Sequence, residues 1–387
     1  MFGLKLTHVT SGLLPALVGY TGSIAVIFAA IEALGATQAQ ANSWLWALGI
    51  GMGVSSFILA LRYKMPILTA WSTPGAALIA VSAEGIPLEQ AVGAFLFCAV
   101  LLVLTGATGL FARLTRLIPP ALANAMLAGI LFRFGLGTFE AMEQAPAMVL
   151  MMLATWLAGR LWFPQVTVAA VLLVGAAFCA ATGQYNPAVG VSLDLATPVF
   201  VMPDLNWAVM ISLGLPLYLV TMTSQNMPGV VVLKSAGYEP PVSATLVVTG
   251  MTSLILAPFG GYAFNFAAIT AALCAGPDTD PDPGQRYKAA LIGGVVYLIA
   301  GLFGATVISL FLMAPEALVL AIAGIALLGI ITSSLSAAIT DTQDRDAAVL
   351  TFMMVVSGVS FLNIGAPVWG LLLGLVAKGV LDRRGRN

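Results

Sequence analysis

Residues Pro66–Gly85 read PILTAWSTPGAALIAVSAEG, and residues Pro258–Gly276 read PFGGYAFNFAAITAALCAG. Each opens with a proline, passes through a short run of β-formers, aromatics or glycine, and continues as a small-residue helix of about ten to twelve residues, where a bilayer crossing needs about 20. A break of this kind strands N–H and C=O groups, which in lipid survives only against protein or a water-filled site. Two such breaks in one chain predict a pair of interrupted helices with a ligand site between them.

The sequence around them belongs in lipid. Of 387 residues 60% are hydrophobic and only 8% charged, with a mean hydropathy of +1.02; so little polar surface cannot cover a soluble globule. Polar breaks divide the chain into roughly fourteen apolar segments. They fall at about 12–34, 43–61, 66–84, 88–110, 118–138, 144–160 and 165–183, then at about 206–232, 242–257, 258–275, 288–312, 315–337, 346–362 and 366–381. No length remains for a soluble domain. The net charge is −1 and the cations are scattered, which excludes a nucleic-acid-binding stripe. One histidine and three widely separated cysteines leave no metal site, no cofactor motif and no cluster for enzyme chemistry. The stretch from Gly12 to Leu34 could pass for an export signal ending at Ala39-Gln40-Ala41. It is longer than a signal's apolar region and carries Tyr20-Thr21-Gly22-Ser23, so it is read as a span.

The order of the charges fixes an orientation. With the N-terminus inside, the inner loops hold Lys5, Arg62, Lys64, Arg113, Arg116, Arg160, Lys234, Arg286, Lys288, Arg345, Lys378, Arg383, Arg384 and Arg386, all but one of the 15 cations. The outer loops carry Glu32, Glu84, Glu89, Glu140, Glu143, Asp194, Asp204 and Glu316 and no cation. A miscounted helix would invert every later loop, so the positive-inside rule predicts both termini in the cytoplasm of a bacterial inner membrane. Seven segments precede the polar break and seven follow it, and an odd number turns the second half upside down. The expected architecture is an all-α polytopic membrane protein of 14 transmembrane segments in two inverted repeats, residues 1–195 and 204–387, with spans 3 and 10 interrupted.

The breaks nominate the site. Thr73-Pro74-Gly75, beside Ser72, reads as an N-cap followed by a proline in the first turn, and Asn265 before Phe266 reads as the second cap. Two half-helix N-termini facing each other near the midplane favour an anion. The first span of each half adds Tyr20, Thr21 and Gly22, and Gln225 and Asn226. Polar groups this deep face a cavity or a neighbouring helix, although serine and threonine also bond their own helix backbone. Arg133, in span 5, is the one cation outside the charge pattern; Glu140 lies two turns on and predicts a structural or gating pair. His8 is expected at the cytoplasmic surface. Asp278, Asp280 and Asp282 alternate like a calcium loop, but Pro283 and Ala289 occupy positions that need glycine and glutamate, so a solvated turn is expected.

At these residues the chain resembles a known family. The stretches HVTSGLLPALVGYTGSIAVIF from His8, LTAWSTPGAALIA from Leu68, LYLVTMTSQNMPGVVVLKSAGY from Leu217 and APFGGYAFNFAAITAALCAG from Ala257 are similar to the benzoate/proton symporters of the BenE type. That family shares its wider fold with uracil and xanthine permeases and with sulfate and bicarbonate transporters. The resemblance implies a core domain of spans 1–4 and 8–11, a gate domain of spans 5–7 and 12–14, and substrate held between spans 1, 3, 8 and 10. It implies a small aromatic carboxylate and a proton as partners, no cofactor, and allows a homodimer. Tyr20, Phe264 and Phe266 would supply ring contacts. Nucleobase symporters of this fold carry a glutamate in span 8 and another in span 10, where this chain has Gln225, Asn226 and Asn265; amides suit a substrate that is itself a carboxylate. Whether the proton rides on a side chain or on the substrate stays open. A nucleobase or inorganic anion transporter of the same fold, or an anion channel, are the competing readings.

Overall fold

The computed structural model describes residues 4–111, 113, 119–164, 166–186, 190, 193–359, 361 and 365–384, with the side chains of residues 14, 15, 17, 18, 21, 22, 269, 383 and 384 outside that description. Every apolar segment holds a helix. In the first half these are α1 (Leu6–Ala33), α2 (Gln38–Tyr63), α3 (Thr73–Ser82), α4 (Leu88–Thr108), α5 (Pro120–Gln144), α6 (Pro146–Trp162) and α7 (Thr167–Ala181). The second half has α8 (Trp207–Ser235), α9 (Val242–Leu256), α10 (Ile269–Ala275), α11 (Tyr287–Leu302), α12 (Gly304–Met313), α13 (Glu316–Thr340), α14 (Arg345–Ser357) and α15 (Ala366–Arg384). Among the described residues six helices are long and apolar enough to cross a membrane, or seven when α11 and α12, bent by 60° at Phe303, count as one.

Small residues let the helix backbones touch. A Cβ on Gly301 of α11 would lie 2.9 Å from Gly49 Cα of α2, and one on Gly53 would lie 2.7 Å from Gly294 O. Without a hydrophobic drive between helices in lipid, this close backbone approach is what holds such pairs together. Gly49→Val is therefore expected to destabilise the fold by about 1–3 kcal/mol or more, because the obstacle is backbone and no rotamer relieves it. A lowered melting temperature in detergent measures the effect; an unchanged one would remove this seam from the fold's support.

Helix α8 widens twice into π turns, at Met210–Gly214 and Met222–Asn226. Each lies just ahead of a proline, Pro216 or Pro228, whose ring would otherwise meet the carbonyl four residues back. The second π turn falls in the polar stretch expected at the site. On the other side of the molecule α5 packs along α13, and α14 and α15 form a hairpin against α5.

The aspartate turn is solvated at Asp278 and Asp282, as expected from the sequence, but not at Asp280. The Asp280 side chain is only 1% exposed, and its Oδ2 takes Lys5 Nζ at 2.7 Å and His8 Nε2 at 2.8 Å. His8 is itself fully buried, a second correction. Arg286 draws the turn inward by donating to Asp280 O (2.7 Å) and to Ala275 O at the end of α10 (2.8 Å). A carboxylate so enclosed needs charged partners. The Lys5 ammonium first, then the Asp282 N–H, and also His8, hold the Asp280 carboxyl down at about 2.

Candidate functional site

The two interrupted segments meet each other directly. Thr69–Ala70 (β1) and Asn265–Phe266 (β2) pair antiparallel, with Thr69 opposite Phe266 and Ala70 opposite Asn265. Ala267 N–H extends the ribbon by donating to Leu68 O at 3.0 Å. The backbone groups that the breaks strand are thus spent on each other, as a break in lipid requires. Antiparallel strands send their half-helices, α3 and α10, away in opposite directions.

Neighbouring helices pin both strands through serines. Ser56 Oγ of α2 accepts from Thr69 N–H at 2.9 Å, and Ser253 Oγ of α9 accepts from Phe264 N–H at 3.1 Å. The Thr69 hydroxyl is further held by Ser55 Oγ (2.7 Å) and Met52 O (3.0 Å). Asn226, at the end of the π turn, accepts from Phe266 N–H at 3.0 Å and donates to Thr221 O at 3.3 Å. Its amide therefore belongs to the scaffold, and of the two span-8 amides only that of half-buried Gln225 has no hydrogen bond among the described residues.

Both expected caps are corrected. Helix α3 is capped by Ser72, whose Oγ accepts from Gly75 N–H at 3.1 Å while its carbonyl takes Ala76 N–H at 2.8 Å. Thr221 Oγ1 also donates to Ser72 Oγ (3.0 Å), and Tyr262 donates to Ser72 O (3.3 Å). Thr73 is one residue inside the helix, half-buried, with its hydroxyl unbonded among the described residues. Helix α10 starts only at Ile269, after Ala268, which offers no side-chain cap. Asn265 stays in the strand because β2 completes the ribbon before the chain can turn into helix.

Strand alternation then divides the aromatic and polar side chains. Phe264 lies against α2, where a Cβ on Gly51 would overlap its ring, and Phe266 lies against Gly229 of α8, in a cluster with Leu59, Ile67, Val230 and Leu233. Both rings are 0% exposed against these neighbours. Asn265 points the other way, as does its partner Ala70, which is half-buried. The Asn265 amide donates from Nδ2 to Ala263 O at 2.9 Å, while its Oδ1 is buried without a partner among the described residues. Ala263 stands at φ 44°, a left-handed conformation that costs a non-glycine residue about 1–2 kcal/mol. Strain of this kind concentrates at ligand sites.

Span 1 closes the same region. Tyr20 meets Trp71, the residue after β1, edge-on at 4.8 Å, and Tyr297 of α11 at 6.4 Å. Trp71 is fixed by its indole N–H on Ser23 Oγ at 2.9 Å. The Tyr20 hydroxyl is buried with no partner among the described residues. Thr21 and Gly22 lie in α1 but their side chains fall outside the described residues. Ser23 and Thr221 belong to the two deep polar stretches read from the sequence, whereas Trp71 and the pinning serines were not nominated by it; for Trp71 the signal was its place next to the break.

Arg133 and Glu140 form no ion pair among the described residues, which corrects the expected pairing. Two turns separate them by about 10 Å along α5. Instead a Cβ on Gly358, the left-handed residue that closes α14, would lie 2.8 Å from an Arg133 guanidinium nitrogen. Arg133 thus stands at the negative end of α14, where a cation is favoured. Between α5 and the π turn of α8 runs a cleft lined by Ala123, Asn124 and Leu127 on one side and Thr223, Ser224 and Met227 on the other.

Comparison with known proteins gives a family and a fold. The BenE profile, described as benzoate membrane transport protein, matches residues 3–380. The chain is 43% identical over 382 residues to the inner membrane protein YdcO of Escherichia coli, covering 99% of this chain and 97% of that one. It is 38% identical over 377 residues to the benzoate membrane transport protein of Acinetobacter baylyi, covering 97% and 95%. Among solved structures, the transmembrane domain of the cyanobacterial bicarbonate transporter BicA superposes with a TM-score of 0.61 at 14% identity, over 96% of this chain and 98% of that one. SLC26A9 superposes with a TM-score of 0.66 at 13% identity, over 97% of this chain and 65% of that one. At such identities these structures share the fold alone.

Proposed function

The chain belongs to the BenE family of benzoate membrane transport proteins, and from that premise we propose that it imports benzoate or a related aromatic carboxylate together with a proton, by alternating access across a bacterial inner membrane. The observation that carries this reading is the face of the ribbon that bears Ala70 and Asn265. It is flanked by Tyr20 and Thr73, and it supplies hydrogen-bonding groups without a carboxylate side chain, with the small Ala70 methyl where the flat ring would lie.

The remaining architecture fits a transporter of this kind. The fourteen segments form two inverted sevens, and Ser56 on Thr69 and Ser253 on Phe264 are one pin repeated in each half. Helices α1–α4 and α8–α12 make a core that carries the site, α5–α7 and α13–α15 make the gate, and the cleft beside Asn124 and Ser224 lies on their boundary. The charge order puts both termini in the cytoplasm.

Counterflow of labelled benzoate in proteoliposomes, challenged with unlabelled aromatic acids, uracil and sulfate, tests the reading. Competition by uracil and not by benzoate would overturn the substrate, and failure to concentrate benzoate under an imposed pH gradient would favour a channel. Ala70→Leu is expected to weaken benzoate binding roughly tenfold or more while the protein stays folded, since filling the ring space costs about 1–3 kcal/mol. Unchanged affinity would move the ring away from Ala70.

A further inference from the structure

We propose that the substrate is bound as the neutral acid, its carboxyl O–H donated to Asn265 Oδ1 and its carbonyl oxygen accepting from the Tyr20 hydroxyl, so that the coupled proton travels on the substrate itself. This rests on the aromatic carboxylate reading given above and specifies the form in which that substrate is held.

The first support is the direction of the Asn265 amide. A backbone carbonyl can only accept, so the amide atom on Ala263 O, at 2.9 Å, must be the NH2 group. That leaves Oδ1, a pure acceptor, buried beside the ribbon and unpartnered among the described residues. A carboxylate, which also only accepts, would be repelled there; a protonated carboxyl supplies the missing donor. The Asn265 amide cannot turn over to suit an anion without setting its oxygen against Ala263 O, the carbonyl of a residue already strained at φ 44°.

The second support is the shortage of groups that would neutralise an anion. In the first turn of α3, Pro74 has no N–H, Gly75 N–H is taken by Ser72 Oγ and Ala76 N–H by Ser72 O. Only Thr73 N–H is left. Helix α10 has just seven residues. The amide of Asn226 is spent on Phe266 and Thr221, and no lysine, arginine or histidine occurs in residues 65–85, 214–230 or 257–276. Removing a carboxylate from water into such surroundings favours its protonated form. The Tyr20 hydroxyl, which both donates and accepts, belongs to a ring held edge-on against Trp71 and is unpartnered among the described residues as well.

The proton balance is simple. The carboxylate takes one proton from water on the side it leaves and returns one to water on the side it enters; only its O–H bond forms and breaks, and no protein group changes protonation.

Neutral and permanently charged isosteres test this on the wild-type protein. Benzamide, whose NH2 replaces the carboxyl O–H, is expected to compete with labelled benzoate with an affinity that does not change between pH 5.5 and pH 7.5. Benzenesulfonate, anionic throughout, is expected not to compete. The apparent benzoate affinity should weaken roughly tenfold for each pH unit as the acid becomes scarce, and its uptake should not respond to a valinomycin-clamped potential. Competition by benzenesulfonate with inert benzamide would overturn the neutral-acid form and leave the benzoate reading standing; absence of benzoate binding would overturn both.

Discussion

Asn265→Asp is expected to lower benzoate counterflow at pH 7 by at least about a hundredfold, with a protein that still elutes as a folded particle. The substitution preserves shape and alters only what the two side-chain atoms can do. An ionised carboxyl cannot donate to Ala263 O, which takes the Asn265 Nδ2–H at 2.9 Å, so it sets two acceptors against each other in a fully buried place. It also puts a negative charge beside the substrate carboxyl where no cation stands. Leaving one buried partner unsatisfied costs about 1–3 kcal/mol, and an unpaired buried charge costs several more, while a hundredfold change in rate or affinity needs only about 2.7 kcal/mol. Activity should return in part at acid pH, where the introduced carboxyl is protonated and can again donate to Ala263 O. Counterflow close to the wild-type rate at pH 7 would place the substrate away from Asn265.

The second large effect concerns the fold that presents this residue. Gly260→Val is expected to cost roughly 3 kcal/mol or more, and to show as lost monodisperse protein and a melting temperature well below wild type. Gly260 closes the 3-10 turn Ala257–Phe259 that continues α9: its N–H reaches Ala257 O at 3.0 Å and Gly261 N–H reaches Leu256 O at 2.9 Å, the paired bonds of a Schellman turn. The residue sits at φ 95°, where any side chain is strained, and a Cβ there would overlap the ring of Trp44. Trp44 cannot yield, being 1% exposed and packed on Phe95 and Tyr262 at 5.7 Å each. Gly35→Ala is the control. Its φ is 61° but nothing lies within 4 Å, so it should show only the backbone cost of about 1–2 kcal/mol. Equal effects of the two substitutions would mean that Trp44 moves freely and that this turn does not set the course into β2.

Much of this was legible in the sequence. Proline 66 and Pro258 marked the interrupted segments, and the polar stretch around Gln225 and Asn226 coincides with a π turn. The apolar segments have their helices, although helix length and hydropathy alone credit six or seven with a full crossing. Ser72, and not Thr73, caps α3; Asn265 lies in a strand; Arg133 faces the end of α14 and not Glu140; His8 and Asp280 are buried together. The cap and the Arg133 partner had been chosen from nearby in the chain, whereas His8 and Asp280 had been assigned to solvent because each finds its partner in a remote segment.

Composition and the order of the charges determine membrane class, and proline with small residues determines where the helices break, because these properties depend on local backbone chemistry and on transfer of whole segments into lipid. The partner of each polar atom is set by residues remote in sequence. Ser72 meets Thr221 across 149 positions, and His8 meets Asp280 across 272. Whether the Asn265 amide offers a donor or an acceptor was therefore undecided until the fold placed Ala263 O against its NH2 and left its oxygen buried and unpartnered among the described residues. A buried hydrogen bond satisfies a group only through the one neighbour that reaches it, and only the packed tertiary structure supplies that neighbour.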